Sequence, residues 1–149
     1  MIKTLLVLTT CAAVLGFANP AFAYQSGIIK TVRGQVRIER GGSDVEARVG
    51  DPVQELDRVV ARSGSSVGIS MNDETLLSMG PNSTLVIDKY SYDPVTREGS
   101  VATSILKGTL RYVTGLIGRA HPHAIKVMTA NSTIGIRGTE FIVEVPGGK

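Results

Sequence analysis

The sequence predicts an all-β fold. Three observations carry that prediction: apolar residues alternate with a period of two, turn residues interrupt the pattern about every eight to twelve positions, and no long amphipathic helix follows the N-terminal region. The expected architecture is a single compact domain of short strands. It is a β-sandwich or a short β-helix-like stack, placed after a cleaved signal peptide.

The elements follow in order. Met1-Ile2-Lys3 supplies a short positive start, Thr4 to Phe17 is almost wholly apolar, and Asn19-Pro20-Ala21-Phe22-Ala23 ends in the small-x-small pattern of a signal-peptidase site. The apolar run is shorter than the roughly 20 residues of a spanning helix. Residues 1–23 are therefore read as a signal peptide and 24–149 as the all-β domain, periplasmic or secreted. Cleavage removes Cys11, the one cysteine, so the mature chain must be stabilised by core burial and not by disulfides.

From Val32, the residues Val32, Gly34, Val36 and Ile38 face one side and Arg33, Gln35, Arg37 and Glu39 the other, which predicts one strand ending at Gly41-Gly42. Val45, Ala47 and Val49 form the return strand of a hairpin. Val67, Ile69 and Met71 alternate next, Asn72-Asp73-Glu74 turns in solvent, Leu77 and Met79 return, and Gly80-Pro81-Asn82 stops them before Leu85 and Ile87. Ser91 to Gly99, with Asp93-Pro94, is expected as an exposed loop. Strands resume over Val101 to Leu106 and, after a turn at Lys107-Gly108, over Thr109 to Val113, with Leu110 and Tyr112 on one side. Val113 to His123 reads as a turn or a single helical loop, and Ile125 to Val145 forms the last block. Asn82-Ser83-Thr84-Leu85-Val86-Ile87 is echoed by Asn131-Ser132-Thr133-Ile134-Gly135-Ile136, each an Asn-Ser turn launching a strand.

The composition and motifs exclude several functions. A hydrophobic fraction of 42% and a net charge of +3 exclude a disordered chain. The basic residues alternate with acids, so no nucleic-acid stripe forms. His121 and His123 stand two apart with no third ligand near, and no Gly-x-Ser-x-Gly elbow or phosphate-cradling loop is present. Asp73 and Glu74 are adjacent, which on a strand sends them to opposite faces, and few aromatics are available to stack a sugar. No catalytic, cofactor or metal site is expected.

Val36 to Ile38, Val49-Gly50-Asp51, Asp57-Arg58-Val59, Ser65-Ser66-Val67-Gly68-Ile69, Leu77 to Ser83 and above all Ile134-Gly135-Ile136-Arg137-Gly138-Thr139-Glu140-Phe141-Ile142-Val143 resemble the FecR domain, the periplasmic module of iron-siderophore signalling regulators. The resemblance implies an all-β fold and a role in envelope signalling, where regulators of this kind relay a signal from an outer-membrane receptor to a sigma factor. The chain departs from that pattern in three ways. Only a cleavable signal precedes the domain, which leaves nothing to reach the cytoplasm. Glu74 stands where Asp-Gly-Ser or Asp-Gly-Thr is common, so a turn that favours Gly must tolerate a side chain, and Leu56 stands where Gly often precedes Asp57.

Arg137, Gly138, Thr139, Glu140 and Phe141 are the family motif. Their residue types suit a structural role: Gly138 permits a bulge or a tight backbone approach, Thr139 suits a strand, and Phe141, Val143 and Val145 alternate inward against Ile142 and Glu144. Arg137 and Glu140 are the candidates for partner contact, or pair with Asp57 and Arg58. The functional expectation is a non-enzymatic binding or signalling module that meets an envelope protein through exposed edge strands or the Ser91–Gly99 loop. The alternative is a small-ligand or polysaccharide binder, which requires a concave site.

Overall fold

The computed structural model describes residues 24–147; the expected signal peptide lies outside the described residues. Twelve strands follow in order: β1 (Gln25–Arg33), β2 (Val36–Arg40), β3 (Ser43–Glu46), β4 (Pro52–Gln54), β5 (Arg58–Ala61), β6 (Ser66–Met71), β7 (Leu76–Met79), β8 (Ser83–Tyr92), β9 (Gly99–Val113), β10 (Ile125–Met128), β11 (Thr133–Gly135) and β12 (Glu140–Val145). A five-residue helix, α1 (Leu116–Ala120), and a 3-10 turn at Pro122–Ala124 separate β9 from β10.

The sheet runs β3-β2-β5-β8-β9-β7-β6-β1-β4, with β10 and β12 also on β9 and β11 beyond β10. All pairings are antiparallel except β10 beside β9. That ladder is not the parallel coil stacking of a β-helix. The sheet curls instead through β9, whose first half pairs with β8 and β10 while its second half pairs with β7 and β12. Side chains from both halves meet in one core containing Ile29, Ile38, Ile69, Leu77, Leu85, Ile105, Leu110 and Tyr112, each 2% exposed or less. Period-two burial holds as expected at Val67, Ile69 and Met71 and at Leu77 and Met79.

Several strand expectations are corrected. The alternation from Val32 is not one strand, because Gly34 adopts φ +71 and carries the chain from β1, which pairs β6, to β2, which pairs β5. A side chain at Gly34 would meet Ser65, whose Oγ accepts the Gln35 amide at 2.9 Å. The Lys107-Gly108 turn does not exist either. Gly108, at φ +89, is a bend inside β9, and a Cβ there would overlap Ser83, whose Oγ accepts the Thr109 amide at 2.9 Å. The inward face of β9 switches accordingly, from Val101, Thr103 and Ile105 to Leu110 and Tyr112. A residue out of step with the pleat looks like a turn in sequence, whereas a left-handed glycine absorbs it within one strand.

The hairpin of β2 and β3 turns at Gly41-Gly42, both at positive φ, as a primed turn requires. Its second arm stops at Glu46, and Val45 and Val49 are 53% and 66% exposed, so the expected inward alternation fails at this sheet edge. The Ser91–Gly99 loop is also shorter than expected. Tyr92 pairs with Gly99, which leaves Asp93 to Glu98, where the Asp93 carboxylate accepts the Val95 amide at 2.8 Å.

Asp73 is not in solvent. It is fully buried, and its carboxylate accepts the Tyr90 hydroxyl at 3.1 Å and the Thr75 hydroxyl at 2.8 Å. The Asp73 amide donates to the Tyr90 oxygen at 2.9 Å, and the Asp73 carbonyl accepts the Leu116 amide at 2.7 Å. One residue thereby ties the β6–β7 turn to β8 and to the start of α1.

Candidate functional site

The site is built from the far end of the chain. After β11, Ile136 is buried at 9% exposure and anchors the segment, while Arg137, Gly138, Thr139 and Glu140 are all exposed. Thr114, at the end of β9, fixes that exposed stretch: its hydroxyl donates to the Gly138 carbonyl at 3.0 Å and its amide to the Thr139 carbonyl at 2.8 Å. Gly138 has φ +156 with nothing within 4 Å of where a side chain would stand, so the expected tight backbone approach does not occur there.

β12 then runs antiparallel to β9 from Glu140 opposite Val113 to Val145 opposite Gly108. Phe141 stacks on Tyr112 with ring centroids 4.9 Å apart and an interplanar angle of 17°. Such pairs contribute about 0.5–1.5 kcal/mol beyond area burial. Burial drives the Tyr112 hydroxyl well above the ordinary tyrosine range, with the Asp73 charge adding to the shift. Its oxygen has no hydrogen-bond partner among the described residues. Phe141 and Val145 are half-buried and Val143 is buried, while Ile142 is 65% exposed, so the strand has an inward apolar face and an outward face of Glu140, Ile142 and Glu144.

Neither candidate contact residue pairs with Asp57 or Arg58. Glu140 bonds Arg111 at 2.6 Å, and that hydrogen bond raises the Arg111 guanidinium above its usual value. Asp57 is buried and its two carboxylate oxygens accept from Arg40 Nε and Nη2 at 2.6 Å each, while Arg58 lies 3.7 Å from Glu39. Arg137 stands elsewhere, on the rim of a cleft of about 660 Å³ whose lining includes Ile125 and Ile136 as well as His123 and Lys126. His121 lines a different surface depression with Ser91 and Glu98. Among the described residues no three His, Cys, Asp or Glu side chains gather as metal ligands. Among them, too, no helix is long and apolar enough to cross a membrane.

Sequence reasoning named exposed edge strands as the contact surface but did not place β12 among them. β9 is already paired with β7 on its other side, so the outer edge of β12 has no strand partner among the described residues. Its signal was present: Glu-Phe-Ile-Val-Glu-Val alternates with charge on one face only.

A comparison with models of known families matches the FecR protein family over residues 57–149. The chain belongs to the FecR family. The matched stretch takes in β5 to β12 and therefore the whole candidate site. No curated protein and no solved structure matches the chain. FecR is a regulatory family of envelope signalling, and a FecR domain is accordingly a signalling-related envelope domain.

Proposed function

We propose that this chain is an exported, non-enzymatic FecR module of the bacterial envelope that works by protein–protein contact. The observation that carries the reading is the β12 edge, which begins at the family motif and whose outer side, away from β9, has no strand partner among the described residues. An unpaired edge is a template for a strand of another chain, and such edges are usually short, bulged or covered where no contact is intended. Arg137 and Glu140 flank the entry to this edge on exposed backbone. Export rests on the Met1–Ala23 pattern and places the module in the periplasm or outside the cell.

Affinity capture from a native envelope extract tests the reading. The full chain, tagged beyond Lys149 through a Gly/Ser linker, is compared with the Arg137→Ala/Glu140→Ala double variant. Both side chains are exposed and Glu140 loses only a surface ion pair, so the variant retains its fold, which circular dichroism checks. Recovery of one envelope protein by the wild type and its loss by the variant is the expected result. Recovery of nothing above a blank matrix would contradict protein contact.

The Arg137 cleft favours a second reading, a small-ligand site. Apolar Ile125 and Ile136 with cationic Lys126 and Arg137 suit an organic anion with an apolar body. Binding of decanoate that shifts the Ile125 and Ile136 methyl resonances would support it; unmoved methyl groups at saturating decanoate would remove it.

A further inference from the structure

A second cleft, of about 590 Å³, shares no lining residue with the Arg137 cleft and opens where the two sheet halves cross. Its walls include Gly34 and Ser65, the pair at the crossing from β1 to β2, and Lys107, which precedes the other crossing glycine, Gly108. The backbone between them is fixed. The Arg62 amide donates to the Gln35 carbonyl at 3.0 Å, and the Arg62 carbonyl accepts the Ser65 and Asn82 amides at 3.2 Å each. Because β8 lies between β5 and β9, Arg62 just past β5 and Lys107 in β9 flank the start of β8 at Asn82.

The lining is cationic and polar. Arg62 and Lys107 are exposed, neither forms an ion pair among the described residues, and no carboxylate lines the cleft. Glu46 borders an adjoining depression that shares Gln35 and Arg62, yet it is not paired with Arg62, and its charge acts on Arg37. Gln35, Ser63 and Asn82 add two amides and a hydroxyl, and none of these three side chains is hydrogen-bonded among the described residues. Two uncompensated cations match a phosphate monoester, which carries about −1.5 to −2 charges near neutral pH. The volume falls in the roughly 300–1,000 Å³ range of small-molecule sites, more than a bare phosphate fills, and the neutral donors and acceptors beside the cations match hydroxyl groups. An apolar body would meet only Val60 and Ala61 here.

We infer that this cleft binds a phosphorylated sugar or polyol, its phosphate between Arg62 and Lys107 and its hydroxyls on Gln35, Ser63 and Asn82. The inference goes beyond the protein-contact reading and is independent of it. The same chemistry occurs in a free sugar phosphate and in a phosphorylated polyol headgroup of a lipid, and the experiment separates the two sources.

The full chain is titrated at ~0.05 M salt with glucose 6-phosphate, inorganic phosphate and glucose, with the side-chain amide resonances of Gln35 and Asn82 as reporters. It is also sedimented with phosphatidylcholine vesicles, plain or carrying phosphatidylinositol phosphate. For a free ligand, the sugar phosphate shifts both reporters and binds about ten-fold or more tightly than either inorganic phosphate or glucose. For a headgroup, retention on the phosphoinositide vesicles exceeds that on the plain ones. In either case Arg62→Gln/Lys107→Gln is expected to weaken the binding about ten-fold or more, whereas Lys89→Gln, at an exposed cation toward the far end of β8, leaves it unchanged. All three side chains are exposed, so both variants keep the fold, which circular dichroism checks. Inorganic phosphate binding as tightly as the sugar phosphate would overturn the sugar assignment. An equal loss in Lys89→Gln would reduce the effect to net charge and overturn the site. Unmoved reporters together with no excess retention on the phosphoinositide vesicles would overturn the inference altogether.

Discussion

Asp73 is a carboxylate held without an ion pair among the described residues, entirely by hydroxyl and amide donors. Burial leaves no water to replace a lost donor, and hydrogen bonds to charged groups contribute about 1.5–3 kcal/mol each. Tyr90→Phe is therefore expected to cost about 1.5–3 kcal/mol in chemical denaturation. The same contact has a pH signature. Burial, then the Asp73 charge, push the Tyr90 hydroxyl far above the ordinary tyrosine value, so the folded state holds its proton where the unfolded chain releases it. Stability is then fully present below about pH 10 and falls as pH rises beyond it. Tyr90→Phe is expected to flatten part of that alkaline loss; an unchanged profile would assign the loss to other groups, Tyr112 first. Leu56 and Glu74 give the opposite kind of prediction. Both are exposed and left-handed, with φ +69 and +66. The left-handed cost of about 1–2 kcal/mol exceeds the entropic cost of glycine, so Leu56→Gly and Glu74→Gly are each expected to stabilise by roughly 0.5–1 kcal/mol in the same assay. The strained positions were legible in the sequence as departures from a glycine pattern. The burial of Asp73 was not, because Asn-Asp-Glu has the composition of a solvated turn and only the distant Tyr90 and α1 enclose it.

At the level of elements, the two crossings between sheet halves use one device. Gly34 and Gly108, both at positive φ, pass close to Ser65 and Ser83, and each serine hydroxyl accepts the amide of the residue after the glycine. Gly64 and Asn82, immediately before those serines, are themselves left-handed. Gly108→Ala is expected to cost several kcal/mol, since a methyl would overlap the Ser83 backbone as well as its hydroxyl. Gly41→Ala faces open space and should cost only about 1–2 kcal/mol, from its φ alone. Comparable losses at both sites, measured by thermal unfolding, would mean that Gly108 is not a crossing constraint. Strand periodicity was readable wherever a strand kept step, as at Val67 to Met71. It misled where the register slipped, because the slip at Leu106 to Thr109 and a true turn leave the same break in alternation. The Asn-Ser-Thr echo at 82 and 131 was visible, but Ser83 opens the ten-residue β8 whereas β11 has three residues.

For the whole molecule, the candidate site depends on β9. One fifteen-residue strand carries Tyr112 under Phe141, Arg111 beside Glu140 and Thr114 just beyond its end beneath the Gly138 and Thr139 carbonyls. The motif was legible as residues; its placement on an outer edge depends on β7 occupying the other side of β9, a pairing between distant segments that no local pattern encodes. Export makes a direct prediction as well: the product recovered from the periplasm should begin at Tyr24 by N-terminal sequencing, and a retained Met1 would contradict cleavage. The measurement closest to the central claim is hydrogen–deuterium exchange of the chain with and without its captured envelope partner. Slowed exchange over Glu140–Val145 is expected when the partner is bound, as strand addition requires. Unchanged exchange there, with protection confined to another surface, would contradict it.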